Sequence, residues 1–201
     1  MSNKYPGGII TSGANAGYSV AFDGTGDYLS IATNAAFNFG SGAFTVECWF
    51  YPNTISGSQC LVTNYGSSTT GFVIQMGGFT PGSGIIDVNL SGDGPDISSS
   101  SGLTAGTWNH IAVSGTPGAT GIKLFINGIQ AGSTYTGATS LDTSSSLLIG
   151  AVASTNYVNG YISNVRIIKG TALYTTTFRP PTQLLAVTNT SLLTCNSPDL
   201  S

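Results

Sequence analysis

Charge is what this sequence has least of. Asp, Glu, Lys and Arg together make up 6% of the 201 residues, against roughly 25% in an ordinary soluble domain. Only five residues are basic: Lys4, Lys123, Arg166, Lys169 and Arg179. Nucleic-acid binding needs clustered cations to neutralise phosphates, and only Arg166 and Lys169 are close in sequence. The same shortage excludes a basic patch for a membrane surface. No apolar run approaches the ~20 residues that cross a bilayer as a helix. The first residues, Met1 to Gly8, contain no apolar stretch of signal-peptide length. Work outside a cell would then call for another delivery route, such as release of a virus particle by lysis.

Cysteine is scarce too. Cys48, Cys60 and Cys195 are an odd set, at spacings that match no zinc pattern, and His110 is the sole histidine. All three cysteines read as small buried hydrophobes, with a Cys48–Cys60 bridge across neighbouring strands as the alternative. Helical periodicity is missing throughout.

What remains is strand signal. Short runs rich in Val, Ile, Phe, Tyr and Thr alternate with Gly, Ser, Asn and Asp clusters. Strands are predicted at 18–22, 28–31, 44–51, 60–64, 72–76, 85–90, 108–114, 123–126, 129–133, 147–149, 160–168 and 192–195. Many short strands with polar turns make an all-β sandwich or barrel. Asn127-Gly128 supplies the positive φ pair of a type I′ hairpin turn, and Asp23-Gly24-Thr25-Gly26 forms a second turn. Arg179-Pro180-Pro181 should interrupt the ladder as an extended crossing segment. The stretches 52–58, 91–107 and 134–146 read as loops. Residues 1–17 form a Gly/Asn/Ser-rich N-terminal arm, and 18–201 a single domain.

Five segments in order resemble a known family. They are Ser19 to Ile31 (SVAFDGTGDYLSI), Phe44 to Pro52 (FTVECWFYP), Trp108 to Val113 (WNHIAV), Lys123 to Ile129 (KLFINGI), and Leu148 to Gly150 followed by Gly160 to Ile167 (GYISNVRI). Together they look like a laminin-G-like domain of the concanavalin-A-like lectin/glucanase superfamily. The later Lys169 to Thr182 and Leu192 to Cys195 are similar to laminin-G-like segments in virion proteins of bacteriophages, especially aquatic ones. The resemblance implies a two-sheet antiparallel jelly-roll sandwich. It implies carbohydrate binding, adhesion or virion structure, and fold alone does not choose among them. The family's late motif often carries Asp where this chain has Ser163, and Asn164 would take over part of the local hydrogen bonding.

Catalytic constellations are thin. Glu47 is the only glutamate, and glycosidases of this superfamily usually need a carboxylate pair. A partner such as Asp87 would have to come from a distant strand, so Glu47 reads as bonded to a neighbouring strand or a backbone group. His110 reads as a half-buried strand residue beside Trp108, and no nucleophile elbow is present. The chain is therefore expected not to be an enzyme. Trp49 and Trp108, on strand centres, read as core. Calcium is the metal that suits the oxygen-rich loop at Asp93 and Asp96, whereas Asp23 and Asp27 look structural. For a sugar, exposed aromatic faces beside carboxamides are needed, and Tyr65, Tyr135, Asn156, Tyr157 and Asn159 are the candidates.

The expected partners are a glycan or host cell surface and other copies of the chain or other virion subunits, not nucleic acid or a membrane. Self-association would cover sheet edges. The expected location is a virion or the extracellular space. Host adhesion by a phage particle is the main functional expectation. A structural subunit, such as a capsid decoration or fibre protein, is the alternative, and a glycan hydrolase a distant third.

Overall fold

The computed structural model describes residues 17–197, apart from 66–70, 80, 91–93, 119–120, 138–139, 144 and 154. Two antiparallel sheets face each other. Among the described residues the strands run β1 (Val20–Asp23), β2 (Leu29–Ile31), β3 (Phe44–Pro52), β4 (Gln59–Thr63), β5 (Val73–Met76), β6 (Ile86–Asn89), β7 (Ile97–Ser98), β8 (Asn109–Thr116), β9 (Gly121–Ile126), β10 (Ile129–Gln130), β11 (Leu147–Ile149), β12 (Asn159–Lys169) and β13 (Thr190–Thr194). The seven-stranded sheet has the order β1-β12-β3-β8-β9-β10, with β13 also on β12. The six-stranded sheet is β2-β11-β4-β5-β6-β7. A 3-10 turn at Ala35–Phe37 starts where the Asn34 side chain accepts the Ala36 N–H at 2.9 Å.

Side-chain alternation builds the core. Along β3, Phe44, Val46, Cys48 and Phe50 point inward and meet Ile111 and Val113 of β8, Leu124 of β9, and Ile74, Met76, Ile86 and Val88 of the other sheet. Each fully buried Phe, Leu or Ile contributes about 1.5–3 kcal/mol relative to exposure. Asn127 and Gly128 have φ of 51° and 81° between β9 and β10, as the hairpin turn requires. The Cβ of any other residue at 128 would run into the Phe178 carbonyl.

The three cysteines are free and buried, with Cys48 on β3 and Cys60 on β4 in different sheets. Burial pushes the thiols of Cys48 and Cys60 up, and that of Cys195 up to about 12.

The outer face of the seven-stranded sheet is covered by its own chain, an arrangement the sequence does not announce. Residues 171–187 form a strap. The Leu173 N–H donates to Thr45 Oγ1 (2.9 Å) and the Tyr174 N–H to Ser114 Oγ (3.1 Å). The Lys123 ammonium reaches Thr175 O (2.7 Å), and the Phe178 N–H donates to Gly128 O (2.9 Å). The strap then returns over β3, where Trp49 Nε1 donates to Pro181 O (3.2 Å), and reaches β12, where the Leu184 N–H donates to Asn164 Oδ1 (3.0 Å). Arg179-Pro180-Pro181 is thus part of a crossing segment. The strap places Trp49 on the outer face beneath it, not in the core between the sheets. Trp108 is half-buried ahead of β8, packed on Tyr51, and is not core either.

Candidate functional site

The β3–β4 loop, the β1–β2 turn and the β11–β12 loop converge at one end of the sandwich. Between them lies an open cleft of about 360 Å³, lined by Gly24, Thr54, Ser56, Gly57, Ser58, Gln59, Asn156, Tyr157 and Asn159. Three of the five sugar-binding candidates are therefore neighbours. Their support is built from backbone and carboxamide bonds. Gln59 Oε1 accepts the Asn159 N–H at 2.9 Å, while Gln59 Nε2 donates to Thr54 O at 2.8 Å. Asn53 Nδ2 donates to Asn159 Oδ1 at 3.0 Å, and the Asn53 N–H to Asn159 O at 2.9 Å. The Cys60 N–H donates to Asn156 O at 2.8 Å, which ties the β11–β12 loop to β4.

Two features set these loops apart from ordinary turns. Asn156 has a φ of 51°, and Ala153, three residues before it, has a φ of 45°, a conformation that is costly for alanine. Against the described residues, the Asn156 carboxamide and the Tyr157 hydroxyl have no hydrogen-bond partner, and both side chains are partly exposed. An aromatic ring beside unsatisfied carboxamide and hydroxyl groups matches the apolar face and ring hydroxyls of a pyranose or furanose. Thr54, Ser56 and Gln59 were not among the sequence candidates. The hydroxyl-rich 52–58 loop is visible in sequence, but its approach to Asn156 depends on long-range pairing.

Tyr65 and Tyr135 are not part of this cleft. Tyr65 follows the end of β4 opposite to Gln59, where its N–H donates to Thr63 Oγ1 (2.9 Å). Tyr135 bridges to Ile122, at the end of β9 near Gly121, and packs against the core. The pairings Ile122–Gly115 and Gly115–Phe44 put it at the Phe44 end of β3. Pro52 and the cleft lie eight residues away along that strand, about 26 Å at ~3.3 Å per residue.

Asp93 lies outside the described residues. Asp96 is at the end of β6, where its Oδ2 accepts the Leu90 N–H at 2.6 Å and its own N–H donates to Val88 O. Asp87 is buried, accepting from Ser98 Oγ (2.6 Å) and the Phe79 N–H (3.1 Å). Among the described residues, no group of three or more His, Cys, Asp or Glu comes together as a metal site. Asp23 shapes its turn, accepting from the Thr25 N–H (2.7 Å) and Thr25 Oγ1 (3.0 Å).

Glu47 heads a second polar cluster, sealed beneath the strap. Its Oε1 accepts from Arg166 Nε (2.8 Å) and Nη2 (2.6 Å). Its Oε2 meets His110 Nε2 (3.0 Å) and accepts from the Tyr174 hydroxyl (2.9 Å). Arg166 Nη1 donates to Leu185 O (2.6 Å). A bulge in β12 makes this possible. Ser163 pairs with Trp49 and Arg166 with Glu47, so two residues, Asn164 and Val165, oppose one. Asn164, at φ 52°, takes the strained position and donates through Nδ2 to Ser163 Oγ (2.7 Å). Ser163 Oγ itself bonds Tyr18 O at 2.6 Å. The expectation that Glu47 bonds a neighbouring strand is met on both sides, by β12 and β8. His110 is fully buried, not half-buried, because Phe178 and Tyr174 cover it. Its Nδ1 is the one buried side-chain polar atom without a partner among the described residues.

Residues 23–173, three quarters of the chain, match the laminin-G-like sequence profile of the Concanavalin A-like lectin/glucanases superfamily. The chain belongs to that family. No curated protein sequence matches this laminin-G-like chain. Solved structures share its fold at low identity. A Bacteroides ovatus protein proposed to bind carbohydrate aligns with a TM-score of 0.63 at 18% identity, over 88% of this chain and 51% of that one. Domain 4 of AbnA, an extracellular arabinanase of Geobacillus stearothermophilus, solved with arabinotriose, aligns with 0.56 at 16%, over 79% and 74%. Tailspike protein 2 of the Escherichia coli O157:H7 bacteriophage CAB120 aligns with 0.52 at 17%, over 92% and 30%. The laminin-G-like chain spans about half the length of the Bacteroides structure and less than a third of the tailspike.

Proposed function

We propose that this laminin-G-like chain is a non-catalytic glycan-binding module that uses the cleft between Ser56, Asn156, Tyr157 and Asn159. The observation that carries the reading is the convergence there of Asn156 and Tyr157, with polar groups left unpaired on a rigidly bonded support. The single glutamate supports a role without catalysis, since both of its oxygens are committed inside a covered cluster. The carbohydrate-associated domains that share the fold lend further support, as does the tailspike for a place on a phage particle that adheres to host glycans. A glycan array on the full chain, with and without calcium, tests the reading. Saturable binding should disappear in Tyr157→Ala and in Asn156→Gly, where glycine accepts the positive φ. Binding that survives both substitutions would place the site elsewhere.

A second reading, a structural virion subunit, is favoured by the strap's outer surface, where Leu185 is 63% exposed and Val187 and Leu173 also face solvent. Self-association through that face would appear in sedimentation as a concentration-dependent oligomer that Leu185→Lys disperses. A monomer at high concentration would count against it.

A further inference from the structure

We infer that the cleft selects uncharged glycans and rejects sialylated or sulfated ones, an inference that rests on the glycan-binding reading of the same site. Among the described residues, no charged side chain lines the cleft; its polar groups are hydroxyls and carboxamides such as those of Thr54, Ser56, Asn156 and Tyr157. An anionic sugar entering a partly desolvated site needs a cation or a charge-assisted donor to replace lost hydration. Among the described residues none is within reach; Lys4 lies outside them. Arg166 is buried on Glu47 beneath the strap. Lys169 lies at the opposite end of β12 from Asn159, ten residues or about 33 Å away at ~3.3 Å per residue. Lys123 is held at Thr175 O on the outer face. Arg179 follows Phe178, whose N–H bonds Gly128 between β9 and β10. That is three strand spacings from β12, about 14 Å at ~4.8 Å each.

The charges that do border the cleft are of the wrong sign for an anion. Asp23 pairs with Asn159 across β1 and β12, next to the lining residue Gly24. Asp27 closes the same turn, with its Oδ2 3.4 Å from the Asp23 N–H. The local field is therefore negative over a hydroxyl-recognising surface. Such an arrangement discriminates by repelling the wrong ligand as much as by holding the right one.

The test is titration calorimetry on the full chain with arabinotriose, maltotriose and lactose, against sialyllactose and 6-sulfated lactose at the same ionic strength. At least one neutral oligosaccharide should bind saturably, with binding lost in Tyr157→Ala. The sialylated and sulfated forms should be weaker by at least about tenfold, or about 1.4 kcal/mol. Equal or tighter binding of an anionic form would overturn the inference while leaving the glycan site standing. No binding of any of the five by folded protein would remove both. Ser56→Lys, a change at an exposed loop residue, should improve sialyllactose relative to lactose. An unchanged ratio would show that the cleft's charge does not set its selection.

Discussion

The two polar clusters of this molecule are opposites. Around Glu47, an acid, a base, an imidazole and a phenol are buried together, and every carboxylate oxygen has partners. Around Asn156 the groups are neutral and open, and two of them have no partner among the described residues. Residue chemistry alone would have drawn attention to the first, because Glu, His, Arg and Tyr are the usual instruments of catalysis. Satisfaction points to the second. A buried network whose carboxylate oxygens are all paired, with His110 Nδ1 alone left without a partner among the described residues, holds a structure in place, whereas unpaired polar groups in an open cleft are available to a ligand.

Breaking the Glu47 cluster should have the largest effect. Glu47→Ala leaves Arg166 buried without its counter-charge, and the loss expected is about 3–5 kcal/mol in chemical denaturation. Tyr174→Phe removes one bond to the carboxylate and should cost about 1.5–3 kcal/mol. Its pH dependence sharpens the comparison. Burial, and then the Glu47 charge beside it, pushes the Tyr174 phenol above its usual range. The folded chain keeps that proton while the unfolded chain releases it, so stability is full below about pH 10 and falls as pH rises beyond it. A denaturation series across alkaline pH should show a shallower fall in Tyr174→Phe than in the parent. Tyr157→Ala, in the open cleft, should change stability by less than about 1 kcal/mol, while abolishing glycan binding. The smallest effect should come from salt. Raising NaCl from 0.1 to 1 M should leave the thermal midpoint nearly unchanged, since exposed ion pairs are few and the Glu47–Arg166 pair is shielded from counter-ions.

The sequence makes the sandwich legible because local signals and tertiary pairing agree. The predicted strands coincide with observed ones to within a few residues. Asn127-Gly128 forms its turn because only positive φ closes a two-residue hairpin with the sheet's twist. Strand β7 is missed: Ile97–Ser98 is two residues long within a polar stretch, too short for any period to register. Of the strap, the sequence shows only the crossing at Arg179-Pro180-Pro181, and the rest is missed for a different reason. Tyr174, Phe178 and Leu184 are spaced without strand alternation, and what they cover is a sheet face that sequence alone leaves to solvent. That omission carried over to His110 and Trp49, which the strap covers; Trp108 is only half-buried because it stands ahead of β8 against Tyr51. In the cleft, Asn156, Tyr157 and Asn159 are legible as loop residues with suitable chemistry. Tyr65 and Tyr135 have the same chemistry, and only the register of β4 and β9 sends them to the other end.

The place of β12 has a consequence for how the chain is made. This strand lies between β1 and β3 and also carries β13, yet its residues are 159–169. A chain growing from its N-terminus can pair β3 with β8 and β9 once residue 126 has emerged, but β1 has nothing to pair with until β12 follows. Until then the inward face of β3 has an open edge, and Glu47 stands without its arginine. Folding should therefore be slow for the domain's size, as expected when pairing partners are distant in sequence, and the growing polypeptide should be prone to aggregation until β12 and β13 have emerged from the ribosome.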